Sequence, residues 1–268
     1  MSCLDSNWLF AGDPHGVFDP INTMAELLAP AVTVLLGDYG LEALPLEAAV
    51  APALAASSLW WIPGNHDVRT EAAYDCVFGS ALAEHNLHGR VVVLDGVRVA
   101  GLGGHFQEKV WHPDTGSPAV HTRRQFIATM GRGNVWRGGL PRHKRAVIWP
   151  EDVSALRAQK ADVLVTHEAP SCHPRGFRVI DELARAMSAG LIVHGHTHLT
   201  YRFDAADGRL TVLGVGHRGV TDGAGTAWVP GDRDHIKASG LFTAPANGRP
   251  RPAGWLSVPA LNTTRRIA

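Results

Sequence analysis

Apolar runs of strand length recur along the chain, and Gly, Pro or a polar residue ends each one. The first three cover residues 8–11, 32–36 and 59–62. Short apolar runs bounded by turn residues predict buried strands. Between them, residues 21–29 and 46–56 are rich in Ala and Leu and predict short helices. Strand–helix–strand alternation predicts an α/β fold with a largely parallel, buried sheet. Residues 91–94 and 97–102 flank Asp95-Gly96, which predicts a hairpin with a type I′ turn. Further along, residues 151–160 and 177–189 predict helices, and 162–165 and 191–193 predict strands. Residues 200–203 and 209–215 predict an antiparallel pair joined at Asp207-Gly208.

Two segments break this rhythm. Residues 105–150 carry eight Lys and Arg against Glu108 and Asp114, with four histidines and Trp111, Trp136 and Trp149. That is too long for an ordinary loop. Residues 220–268 are Pro- and Gly-containing and weakly periodic. The expected organisation is therefore a domain over 1–219 with a basic, lid-like insertion at 105–150, followed by an extension over 220–268. That extension reads as an arm over the domain or as a partly disordered segment.

The chain has 268 residues, 45% of them apolar, and no formal net charge. This excludes a disordered chain and a protein basic overall. The zero is a cancellation, because the insertion alone carries +6 and leaves −6 on the rest. Cys3, Cys76 and Cys172 form no CxxC pair, which speaks against a disulfide framework and for a reducing compartment. The first residues lack a signal-peptide pattern, and no apolar run approaches the ~20 residues of a membrane span. A cytoplasmic protein with no membrane partner is the expectation. Fifteen histidines stand out, since histidine serves metals and proton transfer near neutral pH.

Each predicted strand runs into candidate ligands. Residues 8–12 lead to Asp13 and His15, 32–37 to Asp38, 59–64 to Asn65, His66 and Asp67, 162–166 to His167, and 191–195 to His196 and His198. Loops at the carboxyl ends of strands in α/β sheets lie together and form the ligand site. Gly12, Gly37, Gly64 and Gly195 directly precede these residues and permit sharp turns. No GxSxG and no GxxxxGK[ST] is present, so nucleophile-elbow hydrolases and P-loop enzymes have no support.

Asp13-x-His15, Gly37-Asp38, Gly64-Asn65-His66-Asp67, His167 and Gly195-His196-x-His198 resemble, in order, the five signature blocks of the calcineurin-like metallophosphoesterase superfamily. The resemblance spans roughly residues 7–218. One departure is Leu41, which stands where the family's second block often has a further Asp. The resemblance implies two packed mixed β-sheets flanked by helices, with a dinuclear metal site at strand ends. It implies that Asp13, His15 and His198 hold one metal, that Asn65, His167 and His196 hold the second, and that Asp38 bridges them. Mixed imidazole and oxygen ligands suit Mn best, with Fe or Zn as alternatives. The implied reaction is hydrolysis of a phosphate mono- or diester by in-line attack of a metal-bridging hydroxide. His66 would protonate the leaving group or stabilise the transition state. Asp67 has two readings: it orients His66 and raises its pKa, or it N-caps a helix starting near Val68.

The insertion reads as a lid that selects the substrate, the alternative being a solvated surface excursion. His105, Arg123, Arg124, Arg132 and Arg137 are its candidate phosphate-binding residues. Its tryptophans would stack a base or anchor a small core of the lid. His194 reads as a buried structural histidine, and His217 as equally a site residue or a structural one. Two competing functions remain: a nuclease that grips nucleic acid with residues 105–150, which is not favoured, and a non-catalytic protein-binding scaffold of the same fold.

Overall fold

The computed structural model describes Leu4 and residues 6–235. Two mixed β-sheets pack face to face with helices on both outer sides. The first sheet contains β1 (Trp8–Ala11), β2 (Val32–Leu35), β3 (Ser58–Trp61), β10 (Val220–Asp222) and β11 (Ala227–Val229), in the order β11-β10-β1-β2-β3. The second contains β4 (Val91–Leu94), β5 (Val97–Leu102), β6 (Val163–Thr166), β7 (Leu191–His194), β8 (Tyr201–Asp204) and β9 (Thr211–Gly214), in the order β4-β5-β6-β7-β9-β8. β1, β2, β6 and β7 are buried throughout, which is why their sequences are continuous apolar runs rather than alternating ones. These central strands run parallel to their neighbours β3, β5 and β9, while the edge pairs β4/β5, β8/β9 and β10/β11 are antiparallel.

Helices α1 (Asp19–Leu28), α2 (Leu46–Ala49), α3 (Ala51–Ala56) and α4 (Glu71–Phe78) follow the first three strands. Within the insertion lies α5 (Arg123–Thr129), and α6 (Pro150–Arg157) and α7 (Arg178–Met187) accompany the second sheet. Ile21, Ala25, Leu46 and Ala53 pack on one face of the first sheet with Leu9, Leu35 and Trp61. Leu156, Ile180, Leu183 and Met187 pack on one face of the second with Leu164 and Ile192. Between the sheets, Phe10, Val34, Leu36 and Ile62 meet Val99, Val163, Val165, Val193 and Leu213. Within this inter-sheet layer, all but Val163 and Leu213 are fully enclosed.

The Asp95-Gly96 turn has φ of 45° and 77°, as a type I′ hairpin requires. The single helix expected over 46–56 is instead two, because Pro52 lacks an N–H and its ring would strike the carbonyl four residues back. The boundary drawn at 219 is also wrong. β10 pairs with β1 through Leu9–Asp222, Phe10–Thr221 and Ala11–Val220, so residues 220–229 complete the first sheet. Strands of three residues are too short to show a pattern. The rest of the proposed extension, 236–268, lies outside the described residues.

The insertion has its own small core of Val110, Leu140, Val147 and Trp149, joined by Trp111, Phe126 and Ile127. Trp111 and Trp149 thus serve as anchors. Trp136 meets the Tyr74 ring of α4 edge-on at 4.8 Å, with Arg137 and Arg145 over its face. Thr122 and Gln125 form a reciprocal cap at the start of α5.

Candidate metal centre

The loops leaving β1, β2, β3, β6 and β7 converge. Two groups of ligand atoms result, each within 4.8 Å: Asp13, His15, Asp38 and His198, and Asp38, His167 and His196. Asp38 belongs to both. Asn65 completes the second group, its Oδ1 standing 3.2 Å from His167 Nε2. The convergence brings together the seven residues expected to be metal ligands.

The backbone is bent to achieve this. Asp13, His15, Asp38, His196 and His198 all have φ between 41° and 63°. For residues with a Cβ this left-handed region costs of order 1 kcal/mol each, and it concentrates where function demands it. Gly37, at φ +97°, has no room for a side chain, because a Cβ there would lie 2.8 Å from His167 Nδ1. Hydrogen bonds lock the loops to one another. His196 N–H donates to the Asp13 carboxylate, at 2.9 Å to Oδ2. His66 N–H donates to Asp38 Oδ1 at 2.8 Å, and His15 N–H to the Asp38 carbonyl at 3.0 Å.

The donor set fits divalent cations. His15 Nε2 and His198 Nε2 stand 3.4 Å apart, and His167 Nε2 and His196 Nδ1 3.1 Å apart. Ligands on one ion with bonds of about 2.0–2.1 Å are separated by roughly 3.0–3.4 Å. Asp38 Oδ2 is 3.9 Å from His15 Nε2 and 3.6 Å from His167 Nε2. His167 Nδ1 donates to the Leu36 carbonyl at 2.7 Å, which directs Nε2 inward. Burial works to depress the His167 pKa, but the Asp38 and Asp13 carboxylates overcome it and raise it to about 10. The same negative potential would attract a cation. Burial lowers the pKa of His15 to about 4 and that of His196 to about 3, leaving both in the neutral form that binds metals.

Asp67 occupies neither of its expected roles. Its Oδ2 accepts the N–H groups of Gly64 at 2.7 Å and Asp38 at 3.0 Å, and its Oδ1 accepts that of Tyr39 at 2.8 Å. It ties the β2 and β3 loops together and does not face the His66 ring. Nor does it cap α4, which starts at Glu71 with Thr70 Oγ1 accepting from Ala73 N–H. His66 is at the mouth, its side chain 29% exposed and its Nε2 3.8 Å from Asp38 Oδ2. Leu41 is buried in the core rather than in the ligand set.

The lid candidates divide. His105, at the root of the insertion, contacts the Ala146 carbonyl at 3.1 Å, and burial followed by the charge of His167 lowers its pKa to about 4. Arg123 binds Glu151 and Asp152 on α6, and Arg137 binds Glu71 and Asp75 on α4. Their guanidinium groups fasten the insertion to the domain, so their assignment to substrate binding is corrected. Arg124 is exposed on α5, and the side chain of Arg132 lies outside the described residues.

Three residues near the centre escaped the sequence reading. Glu168 is buried beside His167, accepts the Phe106 N–H and places Oε2 3.7 Å from His196 Nε2. Its only signal was adjacency to a ligand. Asp232 accepts from His217 Nδ1 at 2.6 Å, and Arg233 approaches His198. Both lie in the part assigned to the extension. His217 itself stacks on His15 at 5.0 Å and meets His198 edge-on at 4.8 Å. His194 is buried between the Gly195 carbonyl and the Tyr201 hydroxyl.

Comparison with known proteins agrees with this geometry. A family model described as calcineurin-like phosphoesterase matches residues 7–199. The chain belongs to that family and is a metal-dependent phosphoric ester hydrolase. It is 38% identical over 219 residues to an uncharacterized protein of Haemophilus influenzae, covering 81% of this chain and 94% of the relative. Its fold is similar to the crystal structure of TT1561 of Thermus thermophilus, with a TM-score of 0.55 and 15% identity over 84% of this chain and 97% of the other. A dimetal phosphatase from Danio rerio aligns with a TM-score of 0.47 and 11% identity, over 81% of this chain and 93% of the other. Among the described residues no helix is long and apolar enough to cross a membrane.

Proposed function

We propose that the chain hydrolyses a phosphate mono- or diester at a centre of two divalent ions, Mn in the first instance and Fe or Zn as alternatives. The observation that carries this is Asp38, common to both ligand groups. Asp13, His15 and His198 would hold one ion, and Asn65, His167 and His196 the other. When bound, the ions supply Lewis-acid stabilisation of phosphoryl oxygens and an activated water. His66 is fixed by its backbone bond to Asp38 and presents its ring to solvent at the mouth. There it donates its N–H to the leaving oxygen or to the phosphoryl oxygens as their charge grows. Asp67 acts earlier, by holding the backbone of Asp38 in place. The lid is not a nucleic-acid clamp in this reading, because Arg123 and Arg137 are already engaged by carboxylates. A complete ligand set likewise disfavours a non-catalytic scaffold.

The test is reconstitution with Mn, Fe, Zn, Co or Ni and assay of aryl phosphate mono- and diesters. The native chain should turn over at least one ester class. His66→Asn should retain its metal and lose about 10²–10⁴-fold in kcat. Inactivity with every metal and both ester classes overturns the proposal, and unchanged activity in His66→Asn removes the role given to that ring.

A further inference from the structure

The lid supplies no described arginine to the centre, but the C-terminal turn does. Residues 231–235 are fastened to the loop that carries His198. Asp234, only 9% exposed, accepts the N–H groups of Thr200 and Gly231, each at 2.8 Å. Thr200 Oγ1 in turn accepts from Gly231 at 3.1 Å and Gly216 at 3.2 Å. Asp232 N–H donates to the His217 carbonyl, and its carboxylate binds His217 Nδ1 and Arg218. The turn is therefore rigidly placed, and it sets Arg233 with a guanidinium nitrogen 3.4 Å from His198 Nδ1. Arg218 is matched by Asp232, whereas among the described residues no carboxylate lies within 4.0 Å of the Arg233 guanidinium.

The contact with His198 has a chemical consequence. His198 turns Nε2 toward His15, on the ligand side. A neutral imidazole that gives Nε2 to a cation carries its proton on Nδ1. Arg233 and His198 Nδ1 then both present protons to the same space, an arrangement that an anionic oxygen satisfies. Monoesters and diesters differ in what they offer there. A phosphate monoester carries close to two negative charges and three terminal oxygens near neutral pH. A diester carries one charge and two terminal oxygens. Two ions can engage two oxygens, and the third is available only in a monoester.

We propose that Arg233 binds a terminal phosphoryl oxygen on the His15–His198 side of the centre and selects phosphate monoesters over diesters. This rests on the two-metal phosphoesterase reading above. A guanidinium recognises phosphate by paired, charge-assisted hydrogen bonds, which a lysine ammonium does not reproduce.

The experiment uses the full chain loaded with Mn, as native protein, Arg233→Ala and Arg233→Lys. It measures metal per chain, calorimetric affinity for inorganic phosphate, and kcat/KM on an aryl phosphate monoester and a bis-aryl diester. In Arg233→Ala, metal content should hold and phosphate affinity should fall about 10-fold or more. Monoester kcat/KM should drop roughly 10–100-fold and any diester activity should change less than about 3-fold, with Lys intermediate. Unchanged phosphate affinity, equal losses on both esters, loss of metal, or a native enzyme active only on diesters would each overturn the assignment. If the native protein hydrolyses neither ester yet Arg233→Ala weakens phosphate binding, the hydrolytic reading fails and the anion site stands.

Discussion

Replacing Asp67 separates a residue that builds the centre from one that takes part in its chemistry. Its carboxylate accepts three backbone N–H groups, two on Oδ2 and one on Oδ1, and it is 1% exposed. A buried amide left without an acceptor costs about 1–3 kcal/mol. Asp67→Ala strands all three, a gross loss of about 3–9 kcal/mol. Water entry and local relaxation reduce this to about 4 kcal/mol, a large share of a typical 5–15 kcal/mol stability. Asp67→Asn with its oxygen in the Oδ2 position keeps Gly64 and Asp38 but turns an NH₂ toward the Tyr39 N–H, costing about 2 kcal/mol. Urea unfolding of chelator-stripped protein should thus rank native above Asn above Ala. Metal affinity should follow the same order, because the Asp38 backbone is one of the three groups held. Both variants unfolding within about 0.5 kcal/mol of native would refute the reasoning. If that result came with a shifted pH–rate profile, Asp67 would be acting on His66 after all.

Asp38→Asn should lower bound metal at both positions, whereas His198→Ala should cost only one, as elemental analysis of each variant will show; two ions retained in Asp38→Asn would contradict the shared ligand. Arg123→Ala should destabilise the chain by about 2 kcal/mol through its partly buried bonds to Glu151 and Asp152 while leaving kcat/KM unchanged; lost activity at native stability would return Arg123 to the substrate. Burial lowers the His194 pKa to about 4, below the ~6.5 of an unfolded chain, so the folded state favours the neutral ring. Its contribution is full above pH ~6.5 and is lost as pH falls toward 4, and His194→Gln should flatten that acid decline in unfolding free energy; an unaltered slope would exclude His194 as its source.

Much of the centre was legible because β1, β2, β3, β6 and β7 are buried runs that stop at their ligands. Convergence at strand ends then follows from α/β topology. What was not legible depends on contacts across distant segments. Asp67 lies beside His66 in sequence, yet its partners are the backbones of Asp38, Tyr39 and Gly64. Arg123 and Arg137 look like free cations until α4 and α6 bring carboxylates to them. Residues 220–235 gave too short a pattern to be read, although they supply β10, β11 and the Asp232–Asp234 turn.

Each ligand group draws on both sheets. Asp13, His15, Asp38 and Asn65 leave the first sheet, and His167, His196 and His198 leave the second. The layer of Phe10, Leu36, Val165 and Val193 between them therefore works as a ruler for the centre. A methyl group added or removed there would slide one sheet over the other and alter the spacing between ions, so substitutions far from any phosphate can retune the metal preference and the rate.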